Sequence, residues 1–154
     1  MEVLDPHGLM TRAGLRWLTD KAAAAAGVLA YAGEVRVRIV GDGEMAAAHE
    51  KYSGVPGTTD VLTFDLRDDP SAGGPLDTDI LVCMDEARRQ ASARGLSVER
   101  ELLLYIVHGV LHCLGFDDHD EAGYSAMHEE EDRVLEAIGV GRTFAAPEAG
   151  EGAR

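Results

Sequence analysis

Apolar and polar residues alternate from position 34 to 40: Val35, Val37 and Ile39 share one side, Arg36 and Arg38 the other. A period of two predicts a half-buried strand. Residues 60–66 predict a second strand and residues 78–84 a third. The third holds the unbroken apolar run Ile80-Leu81-Val82-Cys83, which predicts burial on both faces. Elsewhere the apolar positions recur at helical spacing. Residues 9–26, with Leu15, Trp17, Leu18 and an alanine run, predict a first helix stopped by Gly27. After the Gly41-Asp42-Gly43 turn, residues 44–52 are good helix formers and predict a second. A third starts at an Asp85 cap and stops at Gly95. A fourth starts at Ser97 and passes through Leu102-Leu103-Leu104-Tyr105-Ile106-Val107, apolar all round, so it should cross the core. Residues 120–138 predict a fifth, with Tyr124, Met127, Val134, Leu135 and Ile138 inward and Gly139 as its stop.

Two segments lack periodicity. Residues 53–58 carry Gly54, Pro56 and Gly57, and residues 67–77 carry Pro70, Gly73, Gly74 and Pro75. Both predict loops, the second long enough to be functional. The tail 145–154 is small and polar and predicts disorder. The expectation is one domain over residues 1–144. Its fold class is α+β: a small mixed sheet of about four strands packed with about five helices, around a central helix that carries the histidines.

Those histidines are the chemical signal. His108 and His112 stand four apart, on one face of a helix, where two imidazoles can share a metal ion. Gly115 can end the helix in a left-handed cap and turn the chain back. Asp118 or His119 then returns toward the same ion. This is zincin logic with one difference: position 109 is Gly, where a zincin protease carries its Glu base. Such donors suit zinc. On this reading the imidazoles lie at the inner end of a buried helix, in a low-dielectric pocket.

Composition narrows the partners. Among the 154 residues, Asp and Glu number 28 against 14 Lys and Arg, a net charge of -14. That counts against indiscriminate nucleic-acid binding, which needs phosphate-neutralising cations. Arg36, Arg38, Arg88, Arg89, Arg94 and Arg100 could still form a local basic face or be solvated singly. No apolar stretch is long enough for a membrane span, and the acidic start lacks a signal peptide's apolar region, so a cytoplasmic protein is expected. Cys83 and Cys113 sit in apolar segments and predict packing thiols.

The segment His108-Gly-Val-Leu-His112-Cys-Leu-Gly115-Phe-Asp-Asp118-His119 resembles the signature of the YbeY family of rRNA maturation factors. Thr59-Asp60-Val61-Leu62-Thr63-Phe64 and Asp79-Ile80-Leu81-Val82-Cys83 resemble its strand motifs, and residues 90–101 its lead-in to the histidine helix. The resemblance implies a metzincin-like arrangement and a single-strand-specific, zinc-dependent endoribonuclease. It implies 16S rRNA 3′-end maturation and ribosome quality control. The implied partners are rRNA, the small ribosomal subunit with its proteins, and a ribosome-assembly GTPase, with neither DNA nor membrane. His108 and His112 become ligands and catalytic residues around one Zn2+ per chain. The family's third histidine aligns with Asp118, which keeps the loop length; His119 serves if the loop bulges. The family's Tyr-Arg pair is here Tyr52-Ser53, so Lys51 beside it, or an arginine elsewhere, is left to act as the catalytic cation. Asp60 is either a strand-start residue or an acceptor that orients a ligand imidazole, and His49 could line the cleft. Two alternatives stand beside this reading. One is a non-catalytic, zinc-stabilised assembly factor; the other is a metal-dependent hydrolase of another substrate.

Overall fold

In the computed structural model, which describes residues 1–144, the elements follow in this order: β1 (Glu2–Leu4), α1 (Arg12–Leu29), β2 (Gly33–Val40), α2 (Asp42–Ser53), β3 (Val61–Asp65), β4 (Leu76–Cys83), α3 (Met84–Arg94), α4 (Val98–Cys113) and α5 (Glu121–Ala137). A 3-10 turn, Pro70–Ala72, lies between β3 and β4. The sheet order is β1-β2-β4-β3, with β1, β2 and β4 parallel and β3 antiparallel to β4. The expected α+β class, mixed sheet and five helices are all present.

Alternation decides which face each strand buries. Val35, Val37 and Ile39 of β2 and Ile80 and Val82 of β4 enter the main core with α1, α4 and α5. Leu81 and Cys83 point to the other face, where they form a smaller core with Val40 and Met45, against Ala48, Leu62 and Phe64. The continuous run in β4 is therefore buried on both sides because α2 covers part of the second face. Leu102 to Val107 of α4 are all buried, and α4 packs on α1, α3, α5, β3 and β4.

Several boundaries differ from the sequence reading for physical reasons. The three-residue β1 is too short to show alternation; its pairing of Val3 with Val37 defines it. Helix α1 runs through Gly27 and ends at Ala30, which takes the left-handed conformation (φ 56). Strand β4 begins at Leu76, inside the segment expected to be loop, because Gly33 pairs with Leu76 in the register. Asp85 is not the cap of α3, whose N-cap is Cys83. Its Oδ2 instead accepts from Asp42 N at 2.8 Å, so it satisfies an orphan donor at the start of α2. Ser97 does cap α4, accepting from Arg100 N at 3.2 Å. After α5 the chain is tied down: Thr143 N and Phe144 N donate to Asp132 Oδ1 at 2.7 and 3.1 Å, and Arg100 Nη2 donates to Gly141 O at 3.2 Å. The expected disordered tail lies outside the described residues.

Candidate metal centre

The histidine helix crosses the sheet at Gly109. A Cβ there would stand 2.9 Å from Thr63 Oγ1 and 3.0 Å from Ile80 Cδ1. The position of the missing protease base is thus crowded by the sheet, and a side chain there would have to displace Thr63 or Ile80. Beyond Cys113 the helix closes as the sequence suggests: Gly115 takes φ 105, and Phe116 N donates back to Leu111 O at 3.1 Å. This tight return, with Phe116 packed on the core, brings the Asp117-Asp118 turn back over the helix. Gly123, in the first turn of α5, allows the turn to lie there; a Cβ on it would meet Asp117 O at 2.0 Å.

The result is a pair of facing donors, His108 Nε2 and Asp118 Oδ2, 3.6 Å apart. Two tetrahedral ligands at zinc distances stand roughly 3.4 Å from each other. The pair therefore fits a shared divalent ion. The other His108 nitrogen, Nδ1, lies 2.6 Å from Glu131 Oε2. Glu131 is a buried carboxylate (1 % exposed) whose second oxygen, Oε1, lies 2.7 Å from His128 Nδ1. A carboxylate behind a ligand imidazole fixes its tautomer and direction. Burial pushes the His108 imidazolium pKa down, but the Glu131 hydrogen bond and the charges of Glu131, Asp118 and Asp60 outweigh it and leave it raised.

Sequence reasoning missed Glu131. The signal was present: Met127, Glu131, Val134, Leu135 and Ile138 follow one helical stripe, so an acid occupies a core position. It was hidden in the run Glu129-Glu130-Glu131-Asp132, which resembles a solvated face.

The other expected site residues are placed less tightly. His108 is partly buried, but His112, one turn on, is exposed, so the expectation of a low-dielectric pocket around both imidazoles is corrected. It lies where the helix has emerged from the core. His119 points outward, 83 % exposed, with Nδ1 2.7 Å from Asp117 Oδ1. Among the described residues, Asp117, Asp118 and His119 form one trio of closely spaced donors, and Asp42, Cys83 and Asp85 another. The second is occupied by other bonds: Arg89 donates to both Asp42 oxygens. Asp60 Oδ1 accepts from Val61 N at 2.7 Å, the strand-start role, while its charge reaches His108. His49 Nδ1 lies 2.9 Å from Gly57 O and so braces the 53–58 loop. Lys51 is exposed, with Nζ 5.1 Å above the Tyr52 ring. Both cysteines are free thiols, and burial pushes both upward in pKa.

The arginines do not make a basic face. Arg36 pairs with Glu34, Asp77 and Asp79, and Arg38 with Glu44. Arg88 pairs with Asp85, Arg89 with Asp42 and Glu86, and Arg94 with Glu101. Arg100 Nη2 donates to the carbonyls of Gly141 and Arg142. Among the described residues no helix is long and apolar enough to cross a membrane.

The family model for endoribonuclease YbeY matches residues 10–139. Among curated relatives, endoribonuclease YbeY of Moorella thermoacetica is 37% identical over 145 residues, covering 89% of this chain and 92% of that protein. Endoribonuclease YbeY of Acidothermus cellulolyticus is 35% identical over 122 residues, 73% of this chain and 74% of that one. A solution structure of TM1509 from Thermotoga maritima superposes with a TM-score of 0.59 at 22% identity, over 99% of both chains, which is a likeness of fold.

Proposed function

Because the chain belongs to the endoribonuclease YbeY family, we propose that it is a zinc-dependent, single-strand-specific endoribonuclease of the cytoplasm. Its substrate on this reading is ribosomal RNA, in maturation of the 16S 3′ end and in ribosome quality control, with the small subunit, its proteins and a ribosome-assembly GTPase as partners. The observation that carries the metal reading is the facing of His108 Nε2 and Asp118 Oδ2 at 3.6 Å, with Glu131 behind the imidazole. His108, His112 and Asp118 are the proposed ligands. The exposed imidazole of His112 must turn toward the other two to close the site. Asp118 is preferred to His119, whose side chain is exposed and bonded to Asp117.

The chemistry an ion supplies in such a site is polarisation of a phosphoryl oxygen and acidification of a water molecule. The chain's own residues do the rest. His108 and Asp118 hold the ion, and Glu131 keeps the His108 proton on Nδ1, leaving Nε2 to ligate. Gly109 offers no general base. Exposed Lys51 is the cation proposed to meet the RNA backbone, in place of the family arginine absent at Ser53.

The test is cleavage of single-stranded RNA by the metal-loaded protein, with bound metal measured in parallel. About one divalent ion per chain is expected, lost in His112→Ala together with cleavage, because removing one of three ligands greatly weakens binding. Asp118→Ala should lose metal while His119→Ala keeps it. Lys51→Ala should cut more slowly with metal retained. Full metal occupancy in His112→Ala would sink the assignment. One set of observations favours a second reading, a non-catalytic zinc-stabilised assembly factor: Arg36, Arg38, Arg88, Arg89 and Arg94 are already paired with carboxylates. Protein that binds small subunits and zinc but never cuts RNA presented on them would decide for it.

A further inference from the structure

The Glu131 carboxylate is held from two directions. His108 Nδ1 approaches Oε2 at 2.6 Å and His128 Nδ1 approaches Oε1 at 2.7 Å. An ionised carboxylate only accepts hydrogen bonds, so both imidazoles carry their proton on Nδ1. The rest of the His128 environment agrees with this. Its Nε2 is buried and makes no hydrogen bond, a poor place for an N–H donor and a tolerable one for a lone pair. The ring cannot easily turn away. It stacks on Phe144 (centroids 3.7 Å apart, 23° between planes) and receives Tyr124 edge-on (4.2 Å, 77°). Phe144 is itself pinned through its backbone N–H to Asp132.

We propose that His128 is a positioning residue for the metal centre: clamped between Phe144 and Tyr124, it locks the Glu131 carboxylate and through it the tautomer and direction of His108. The support of the site therefore extends from the histidine helix across α5 to the segment that follows it. Without the His128 donor, Glu131 keeps one anchor instead of two, and the imidazole it orients gains freedom. The proposal rests on the reading of His108 as a metal ligand, so it is tested with two measurements, one of which needs no metal.

The informative variants are His128→Phe, which keeps a stacked ring and deletes the donor, and His128→Asn, whose amide N–H can replace Nδ1–H. Zn2+ affinity is measured by competition with a chromophoric chelator, and the His108 tautomer by long-range 1H–15N NMR on metal-free protein, at a pH high enough for the ring to be neutral. His128→Phe should bind Zn2+ more weakly, by up to about 10-fold, the low end for direct partners of metal ligands because His128 acts one bond further out, and its His108 should show mixed tautomers. His128→Asn should recover most of the affinity and the single Nδ1–H form. A His128→Phe protein with wild-type affinity and an unchanged His108 tautomer overturns the proposal. If the wild-type protein takes up no Zn2+, the metal reading falls separately. The tautomer then decides: a change in His128→Phe supports the clamp, and no change overturns it.

Discussion

A methyl group at position 109 would press on Thr63 Oγ1 and Ile80 Cδ1 at 2.9 and 3.0 Å, where α4 lies against the sheet. Gly-to-Ala in mid-helix normally gains about 1 kcal/mol of propensity, but overpacking a core costs about 1–3 kcal/mol. The crowding should win. Gly109→Ala should lower the urea midpoint, and equal or higher stability would show that the sheet yields there. Gly123 poses the same problem at the metal turn. Gly123→Ala must push Asp117 O away from 2.0 Å and carry Asp118 off His108. Zn2+ affinity should fall on the order of 10-fold with the core unchanged by circular dichroism; undiminished affinity would mean that Asp118 is not held by this contact. Which residues were legible follows from how local their evidence is. His108, His112 and Asp118 share one short stretch whose spacing is itself geometric. Glu131 acts through a contact 23 positions away, and only its place on an apolar stripe marks it.

Helix α4 carries a buried carboxyl of its own in its first turn. Glu101 is 1 % exposed, the Tyr105 hydroxyl is its nearest neutral donor but the contact is weak, and its ion pair with Arg94 is long at 3.4 Å. Burial raises its pKa, and the Arg94 charge and the Tyr105 hydroxyl oppose the rise without cancelling it. A carboxyl with a folded pKa above its unfolded value binds its proton more tightly when folded. It therefore costs nothing well below the unfolded value, and it progressively destabilises the fold as pH rises from that value through the folded one. Glu101→Gln removes this penalty. The variant should gain stability relative to the parent at pH 7–8 and show little gain at pH 4, read as urea midpoints at both pH values. A gain that is the same at both would put the effect in packing rather than ionisation. The elements themselves were readable where periodicity was long: β2, β4 and the apolar centre of α4. They were unreadable where pairing alone defines them, as in three-residue β1 and the first residues of β4, and where a side chain caps a distant helix, as Asp85 does for α2.

Charge is a property of the whole molecule, and here the sequence and the structure lead to the same consequence by different routes. A net charge of -14 already disfavours free RNA, and a basic face on an acidic body would have reversed that locally. Long-range pairing removes the option: Arg36 reaches across to Asp77 and Asp79 of β4, and Arg89 to Asp42 of α2. No reading of single segments could have found these partners. Each paired guanidinium must leave a carboxylate before it can neutralise a phosphate, so few counterions should be released when RNA binds. For single strands the logarithm of affinity falls with the logarithm of salt by about 0.7 per phosphate contact. Lys51 and one or two further contacts then predict a slope shallower than about -2 for a short single-stranded RNA, by the same relation. Fluorescence anisotropy between roughly 50 and 200 mM salt, the range over which such slopes are resolved, measures it. Lys51→Ala should remove less than one unit of that slope. A steep slope, near -4 or beyond, would mean that six or so cations reach phosphate and that the arginine pairs open on binding. A shallow one leaves the choice of RNA to whatever presents it, and a partner with basic surfaces, such as a ribosomal subunit, suits an enzyme of this charge.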